Sequence, residues 1–312
     1  MLKFHNLFTR KSNFVKSTIA NYCIIADHVN NVSKTKIASF HVTHTIDGSS
    51  KKIPSQLVVY SASLDSAVST NALILPVHNP NNDETKIIPL DLSKLPDFFM
   101  DLEKLYDRWF PKSRSINPAK CLTTNQNLID VHRVGDYKFS IMSSKADFDR
   151  LDKSQLNVTP GAKIAIDMHS MDYSFIVYQF FQQGQIDVTP FGYLCEPIHP
   201  YAMIVPTIHG HPDNEDNEDT VSFEHQAYFD HDIYCLLNCV GTPDMSNRDV
   251  DDTNKLLNNI TTDYLNRKIK ISTHPNFAPT KFNINCIRRN RNMLITRNGC
   301  TSFYDLTIDT AH

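Results

Sequence analysis

The sequence predicts an α+β fold, built mainly on antiparallel β-sheet with two or three helices. Two observations predict the class. Many short apolar runs are bounded by Pro, Asn and Asp, and the runs do not alternate strictly with helices as a doubly wound sheet requires. A third observation is an internal echo: residues 39–78 and 174–209 follow one plan, about 135 positions apart. Each opens on Ser-Phe-x-Val (Ser39-Phe40-His41-Val42; Ser174-Phe175-Ile176-Val177), passes a proline (Pro54; Pro190), and ends in an Ala-led apolar run, then Pro and His (Ala72 to His78; Ala202 to His209). The echo predicts two distantly duplicated β-rich units.

The elements follow in order. Residues 1–26 form a basic tail with Lys3, Arg10, Lys11, Lys16 and no acid, interspersed with Phe4, Leu7, Phe8, Phe14 and Val15. An organelle transit peptide looks like this, and so does a first amphipathic helix. Tyr22 to Ala26 reads as a short buried strand. The first β unit spans 37–78, with Asp47-Gly48 as a hairpin turn. Lys86 to Leu90 is a short strand whose Pro89 favours an edge. The clearest helix starts at Ser93 and presents Leu95, Phe98, Phe99, Leu102, Leu105, Tyr106 and Trp109 on one face until Pro111. Residues 111–128 are turn-rich and predict a linker between a lobe at 27–110 and a lobe at 129–312. Tyr137 to Ile141 alternates like a strand. Ser143 or Ser144 caps a short helix through Ala146, Phe148 and Leu151. The second β unit follows. Ile233 to Val240 reads as a buried strand, Asp249 to Asn266 as a helix, and Phe282–Ile287, Met293–Thr296 and Thr301–Leu306 as strands.

Composition excludes several classes. The 312 residues are 41% hydrophobic, which fits a folded chain and not a disordered one. No apolar run approaches the ~18–20 residues of a membrane-spanning helix, so no membrane span is expected. Only 8 glycines occur, and GxGxxG and GxxxxGK[ST] loops are absent, which argues against nucleotide folds. Seven cysteines without a CxxC pair fit reduced thiols and an intracellular, cytoplasmic location. An organelle, or a virion or host cell, is the alternative. Cys235 and Cys239 read as core residues.

The densest set of ligand-type side chains is His209-Gly210-His211-Pro212-Asp213, followed by Glu215, Glu224, His225, Asp230 and His231. Two histidines two apart on an extended strand project from one face and reach one ion. A third ligand from His225, Asp230 or His231 leaves an open position, as in catalytic zinc sites. Such a set suits Zn or Fe, with a spare carboxylate as general base. The bland reading is a row of hydrogen-bonded histidines at a sheet rim beside a solvated acidic loop. Asp167, His169 and Asp172 approach the same region if strand ends align. No GxSxG elbow occurs.

Charge is uneven. Residues 213–263 hold 13 acids against Arg248 and Lys255, whereas 264–306 hold eight bases against Asp305. Arg288, Arg289 and Arg291 form the tightest basic cluster, suited to an anion or nucleic acid. The alternative is mutual neutralisation of the basic and acidic segments within the fold.

The 209–214 stretch resembles the HxHxDH signature of metallo-β-lactamase-fold hydrolases at five of six positions, with Asn214 in place of the closing histidine. It also resembles the cupin pattern HxHx(3–4)E, with Glu215 as the glutamate and without the flanking glycines. Each resemblance covers under ten residues, and neither carries an activity over. In composition, Asn79-Pro80-Asn81-Asn82, abundant Ile and Lys, and scarce Gly resemble uncharacterised proteins of large DNA viruses and AT-rich genomes. The functional expectation is a binding or structural module without an identified partner. The rivals are a metal-dependent hydrolase or oxygenase at His209 and His211, and anion binding at the Arg288 cluster.

Overall fold

A computed structural model describes residues 23–46, 49–109, 133–134, 137–152, 156–167, 169, 171–197, 202–205, 209–210, 220–230, 250–260, 268–273, 279–289 and 293–296. Its strands are β1 (Cys23–Ile25), β2 (Val29–Ile46), β3 (Ile53–Ser66), β4 (Asn71–His78), β5 (Ile88–Leu90), β6 (Arg133–Val134), β7 (Tyr137–Met142), β8 (Tyr173–Phe180), β9 (Gly184–Asp187), β10 (Phe191–Cys195), β11 (Ala202–Val205), β12 (His209–Gly210), β13 (Thr220–Asp230), β14 (Ile269–Ser272), β15 (Pro279–Arg289) and β16 (Met293–Thr296). Its α-helices are α1 (Phe98–Trp109), α2 (Pro160–Asp167) and α3 (Val250–Asn258). The α+β class stands, and most strand pairs are antiparallel.

Two sheets stack face to face. The six-stranded sheet runs β12-β1-β4-β8-β7-β6. The eight-stranded sheet runs β15-β13-β2-β3-β10-β5, with β14 also on β2 and β9 also on β3. Strand periodicity of two decides what lies between them. In β4, Leu73, Leu75 and Val77 enter the central core, while Ala72 and Ile74 face outward. In β8, Ile176, Tyr178 and Phe180 point in, while Tyr173, Phe175 and Val177 point out. In β3, Val58, Tyr60, Ala62 and Leu64 point in, while Leu57 and Val59 point to the other outer face. Both outer faces are apolar and both are covered. On one, α2 and the 3-10 turn Lys145–Arg150 supply Ala162, Ile166 and Phe148. On the other, α1 and α3 supply Phe98, Phe99, Leu102, Leu105, Leu256 and Leu257. The result is four layers, helix–sheet–sheet–helix. The pair β11–β16 adds a small third sheet, and its Met203 is buried in the central core.

The central core is aromatic. Tyr178 lies 4.2 Å from Phe191 between ring centroids, and Tyr137 meets Phe191 at 5.4 Å. Tyr178 is fully buried, and its hydroxyl donates to the Gly192 carbonyl at 2.8 Å. This bond joins β8 of one sheet to β10 of the other. Tyr137 does the same from β7, donating to the Thr189 carbonyl at 3.0 Å. Gly192 has no room for a side chain, because a Cβ there would stand 2.5 Å from the Val58 carbonyl oxygen.

A polar knot ties the turns at one end. Asn71, fully buried, accepts from the Asp27 amide at 2.9 Å and donates to the Asp27 and His28 carbonyls at 3.0 and 3.2 Å. The Asp27 carboxylate takes the His28 amide and the Asn157 side chain, both at 2.8 Å. The Thr159 amide then bonds the Ala26 carbonyl at 2.9 Å, and Pro160 opens α2 where its missing N–H costs nothing.

Several sequence expectations are met, and others are corrected. Strands appear at Cys23–Ile25, Ile88–Leu90, Tyr137–Met142, Pro279–Arg289 and Met293–Thr296. Ser144 caps the expected short turn, with the Asp147 carboxylate taking its amide at 2.9 Å. The first helix begins at Phe98 and not at Ser93. The Ser93 amide is taken by Asp91 at 2.7 Å, and Leu95 is barred from helical geometry by Pro96. Helix α2 was not expected; its signals are the Thr159 cap, which accepts from Ala162, and Pro160 at the first position.

The topology does not repeat as a duplication requires. In the first unit β2 and β3 pair with each other and β4 lies in the opposite sheet. In the second, β8 and β10 lie in different sheets and β11 in a third. The shared motif records the same burial need, since Ser-Phe-x-Val and an Ala-led run suit any strand covered on both faces. Strands of residues 27–110 and 129–312 interleave: β4 pairs β8, β3 pairs β10, and β2 pairs β13. The 111–128 linker, Asp47-Gly48, the strands expected at 233–240 and 301–306, and residues 261–266 of the expected last helix lie outside the described residues.

Gly192→Ala drives a Cβ into backbone and is expected to destabilise the protein by about 1–3 kcal/mol or more. Tyr178→Phe removes the buried hydroxyl's bond to the Gly192 carbonyl, at a cost of about 0.5–1.5 kcal/mol. Urea unfolding of both variants measures this, with Phe181→Ala at the exposed rim as the near-neutral comparison.

Candidate functional site

Chemically capable side chains among the described residues fall in three places. The first is a cross-strand pair. Even-numbered residues of β2 (Ala38, Phe40, Val42) face the core under α1 and α3, and His44 continues that row beside Ile271. Ser55 enters the same face from β3. His44 Nδ1 and Ser55 Oγ stand 2.8 Å apart, and both residues are buried. Burial pushes the His44 pKa below its usual value, so the ring is neutral. Ser55 Oγ also lies 3.5 Å from the Ile53 carbonyl, which only accepts. The two side chains therefore satisfy each other across the β2–β3 pair, away from solvent.

The second is His169, at the end of α2. It is buried edge-on against Tyr173 and Phe175, with centroids at 5.4 Å in each case. Its Nδ1–H donates to the Ala165 carbonyl at 2.9 Å, and its amide donates to Ile166 at 3.2 Å. Lys145 Nζ donates to the Asp167 carbonyl at 2.7 Å. Together they satisfy the last carbonyls of the helix. Burial, opposed by the carbonyl bonds and helped by Lys145, lowers the His169 pKa to about 4. His78, half-buried on the other side of Tyr173, is also lowered by burial, partly offset by the Asp172 carboxylate. The third is Cys195, buried in the central core, where desolvation and Glu196 push the thiol up to about 12. It is a protonated thiol at neutral pH, not a nucleophile.

Of the residues singled out from sequence, the described ones fall in two sheets. His209 opens β12 at the edge of the six-stranded sheet, level with Cys23. His225 and Asp230 lie in β13 of the eight-stranded sheet, opposite Ile284 and Pro279. Five positions of strand separate them by about 17 Å. His211, His231, Asp213, Glu215, Arg291, Cys235 and Cys239 lie outside the described residues. Among the described residues no group of three His, Cys, Asp or Glu is placed to hold a metal ion. β12 and β8 start toward the same end of one sheet, but His209 is level with Ile176, three positions beyond the Tyr173 at which β8 begins. Three strand spacings, about 14 Å, lie between them. His169 is instead engaged with its own helix. Arg288 and Arg289 pair with Val221 and Thr220 at the end of β15. Thr220 directly follows the acidic run 213–219 in sequence, so the register brings the basic pair level with the exit of that run.

The His169 environment predicts acid sensitivity. Its pKa is about 4 folded and 6.5 in the unfolded chain, so the folded state binds fewer protons between those values. Its contribution is complete above about pH 6.5 and falls away toward pH 4, by up to about 3 kcal/mol. Urea midpoints from pH 7.5 to 4 in the parent and in His169→Phe measure this. The parent is expected to lose more stability over that window than the variant.

No protein-family model matches the chain. Among solved structures the chain is similar to baculovirus P35, with a TM-score of 0.46 and 10% identity over 88% of this chain and 99% of that one. It is also similar to two structures of a mutated baculovirus P35 after caspase cleavage. Their TM-scores are 0.38 and 0.35, at 10% and 14% identity, each over 85% of this chain. No helix among the described residues is long and apolar enough to cross a membrane.

Proposed function

We propose that this chain is a binding or structural module whose described reactive side chains serve the fold. One observation carries the reading: His44, His169 and Cys195 are each buried, and their chemistry is already committed inward. His44 is bonded to Ser55, His169 caps α2, and Cys195 is held as a thiol. A site that turns over substrate needs such groups at a cleft with an open bonding position.

The enzymatic rival is a metal-dependent hydrolase or oxygenase centred on His209 and His211. It requires those residues to converge with His225, Asp230 or His231 around Zn or Fe. Elemental analysis of the purified chain separates the two. The binding-module reading expects transition metals at background. About one ion per chain, lost in His209→Ala/His211→Ala, overturns it in favour of the enzyme.

A second reading, anion or nucleic-acid binding, is favoured by one placement. Arg288 and Arg289 stand at the end of β15, which opens the order of the eight-stranded sheet among the described residues. This reading expects retention on heparin that weakens steeply with salt. Elution of Arg288→Ala/Arg289→Ala at clearly lower salt supports it, and unchanged elution removes it.

A further inference from the structure

Four exposed lysines meet at one end of the eight-stranded sheet. Strand β2 closes at Ile46 with a neighbour on each side. On one side β14 sets Ile269 opposite Ile46 and Lys270 opposite Thr45, with Lys268 next along the chain. On the other side β3 sets Ile53 opposite His44, with Lys51 and Lys52 directly before it. Two strand spacings, about 10 Å, therefore lie between the two lysine pairs. All four residues are exposed. We infer that this end of the sheet binds the phosphate backbone of a nucleic-acid duplex.

The local charge balance gives the first support. Residues 264–273 hold no acid, and residues 43–54 hold only Asp47, which lies outside the described residues. Lysines elsewhere take carboxylates: Lys104 bonds Asp101, Lys163 bonds Asp149 and Lys255 bonds Asp252. Among the described residues none of the ammonium groups of Lys51, Lys52, Lys268 and Lys270 has such a partner. Glu196 directly follows Cys195, which is opposite Gln56 on β3, and it is engaged by Lys86 at 3.3 Å. The fold thus gathers four like charges without neutralising them, and a polyanion offsets their repulsion.

The side chains around the lysines select the partner. Neither 43–54 nor 268–273 contains an aromatic residue, so the stacking platform of a single-strand binder is missing. Lysine ammonium groups are point charges that meet phosphates without reading base edges. The large exposed apolar residues of the described fold, Met100, Ile164, Met171 and Phe181, all lie outside these segments, which leaves no apolar anchor for a bilayer there. The patch also stands apart from Arg288 and Arg289. Those arginines pair with Val221 and Thr220, five positions before the His225 that is level with Thr35, whereas Lys270 is level with Thr45. About fifteen strand positions, or roughly 50 Å, separate the two basic groups.

Salt dependence tests this. Binding of the full chain to a fluorescent duplex of about 20 base pairs is followed by anisotropy while salt rises from about 50 to 200 mM. Four phosphate contacts give a log–log slope of about −3.6, a loss of roughly 150-fold in affinity over that range. Lys268→Gln/Lys270→Gln is expected to make the slope shallower by about two, and Lys51→Gln/Lys52→Gln to do the same. Unchanged urea midpoints report that both variants are folded. Arg288→Ala/Arg289→Ala is expected to leave these lysine effects in place, so this site and the β15 cluster fail or stand separately. Absence of duplex binding at about 50 mM salt overturns the inference, as does a slope that both lysine pairs leave unchanged. Tighter binding to phosphatidylserine vesicles than to the duplex assigns the patch to a membrane surface, and overturns it too.

Discussion

The close apposition of β8 and β10 is the constraint on which the other layers depend. Tyr178 reaches across the central core and finds its partner in a main-chain carbonyl of the facing sheet. That carbonyl belongs to Gly192, where β10 lies so close to β3 that no Cβ fits. A phenol buried among aromatic rings needs a fixed acceptor, since an unbonded hydroxyl there is costly. Register and spacing of the two sheets are thereby set together. With the inner faces locked, the alternate residues of the same strands fall outward. Each outer sheet face is then apolar and has to be roofed by helices.

The strands were legible because strand chemistry is local. Cys23-Ile24-Ile25, Tyr137 to Met142 and Met293 to Thr296 carry enough apolar or alternating residues to declare themselves. What escaped was anything decided by distant partners. The matching Ser-Phe-x-Val segments look like copies, yet Phe40 faces the helices α1 and α3, while Phe175 lies under α2 on the opposite outside. The same four residues meet the same demand, burial on both faces, in two unrelated places. Helix α2 is short and its apolar residues are few, so its periodicity is weak. Its ends carried the signal, in Thr159-Pro160.

The same distinction governs the candidate sites. Of the run His209 to His231, dense in sequence, the described His209 lies in one sheet and His225 and Asp230 in the other. Conversely, His44 and Ser55 meet because a hairpin brings residues eleven apart onto one face. Nothing in the sequence around either marks the pairing; only the register of β2 with β3 creates it. His169 was visible as a residue, but its role as the lid on the carbonyls of α2 depends on a helix that the sequence barely announces.

The place of β2 has a consequence for the order of synthesis. Its parallel partner β13 joins it through Thr35 and His225, so about 190 residues must be translated between the two. At ordinary ribosomal rates that interval is roughly ten to forty seconds. Through it β2, the longest of the described strands, has a long edge that its own C-terminal half has not yet covered. Unpaired strand edges recruit other chains, and distant parallel pairing is slow to form. The nascent chain is therefore most vulnerable to aggregation while its first half is already complete, and a holding chaperone would matter most in that window.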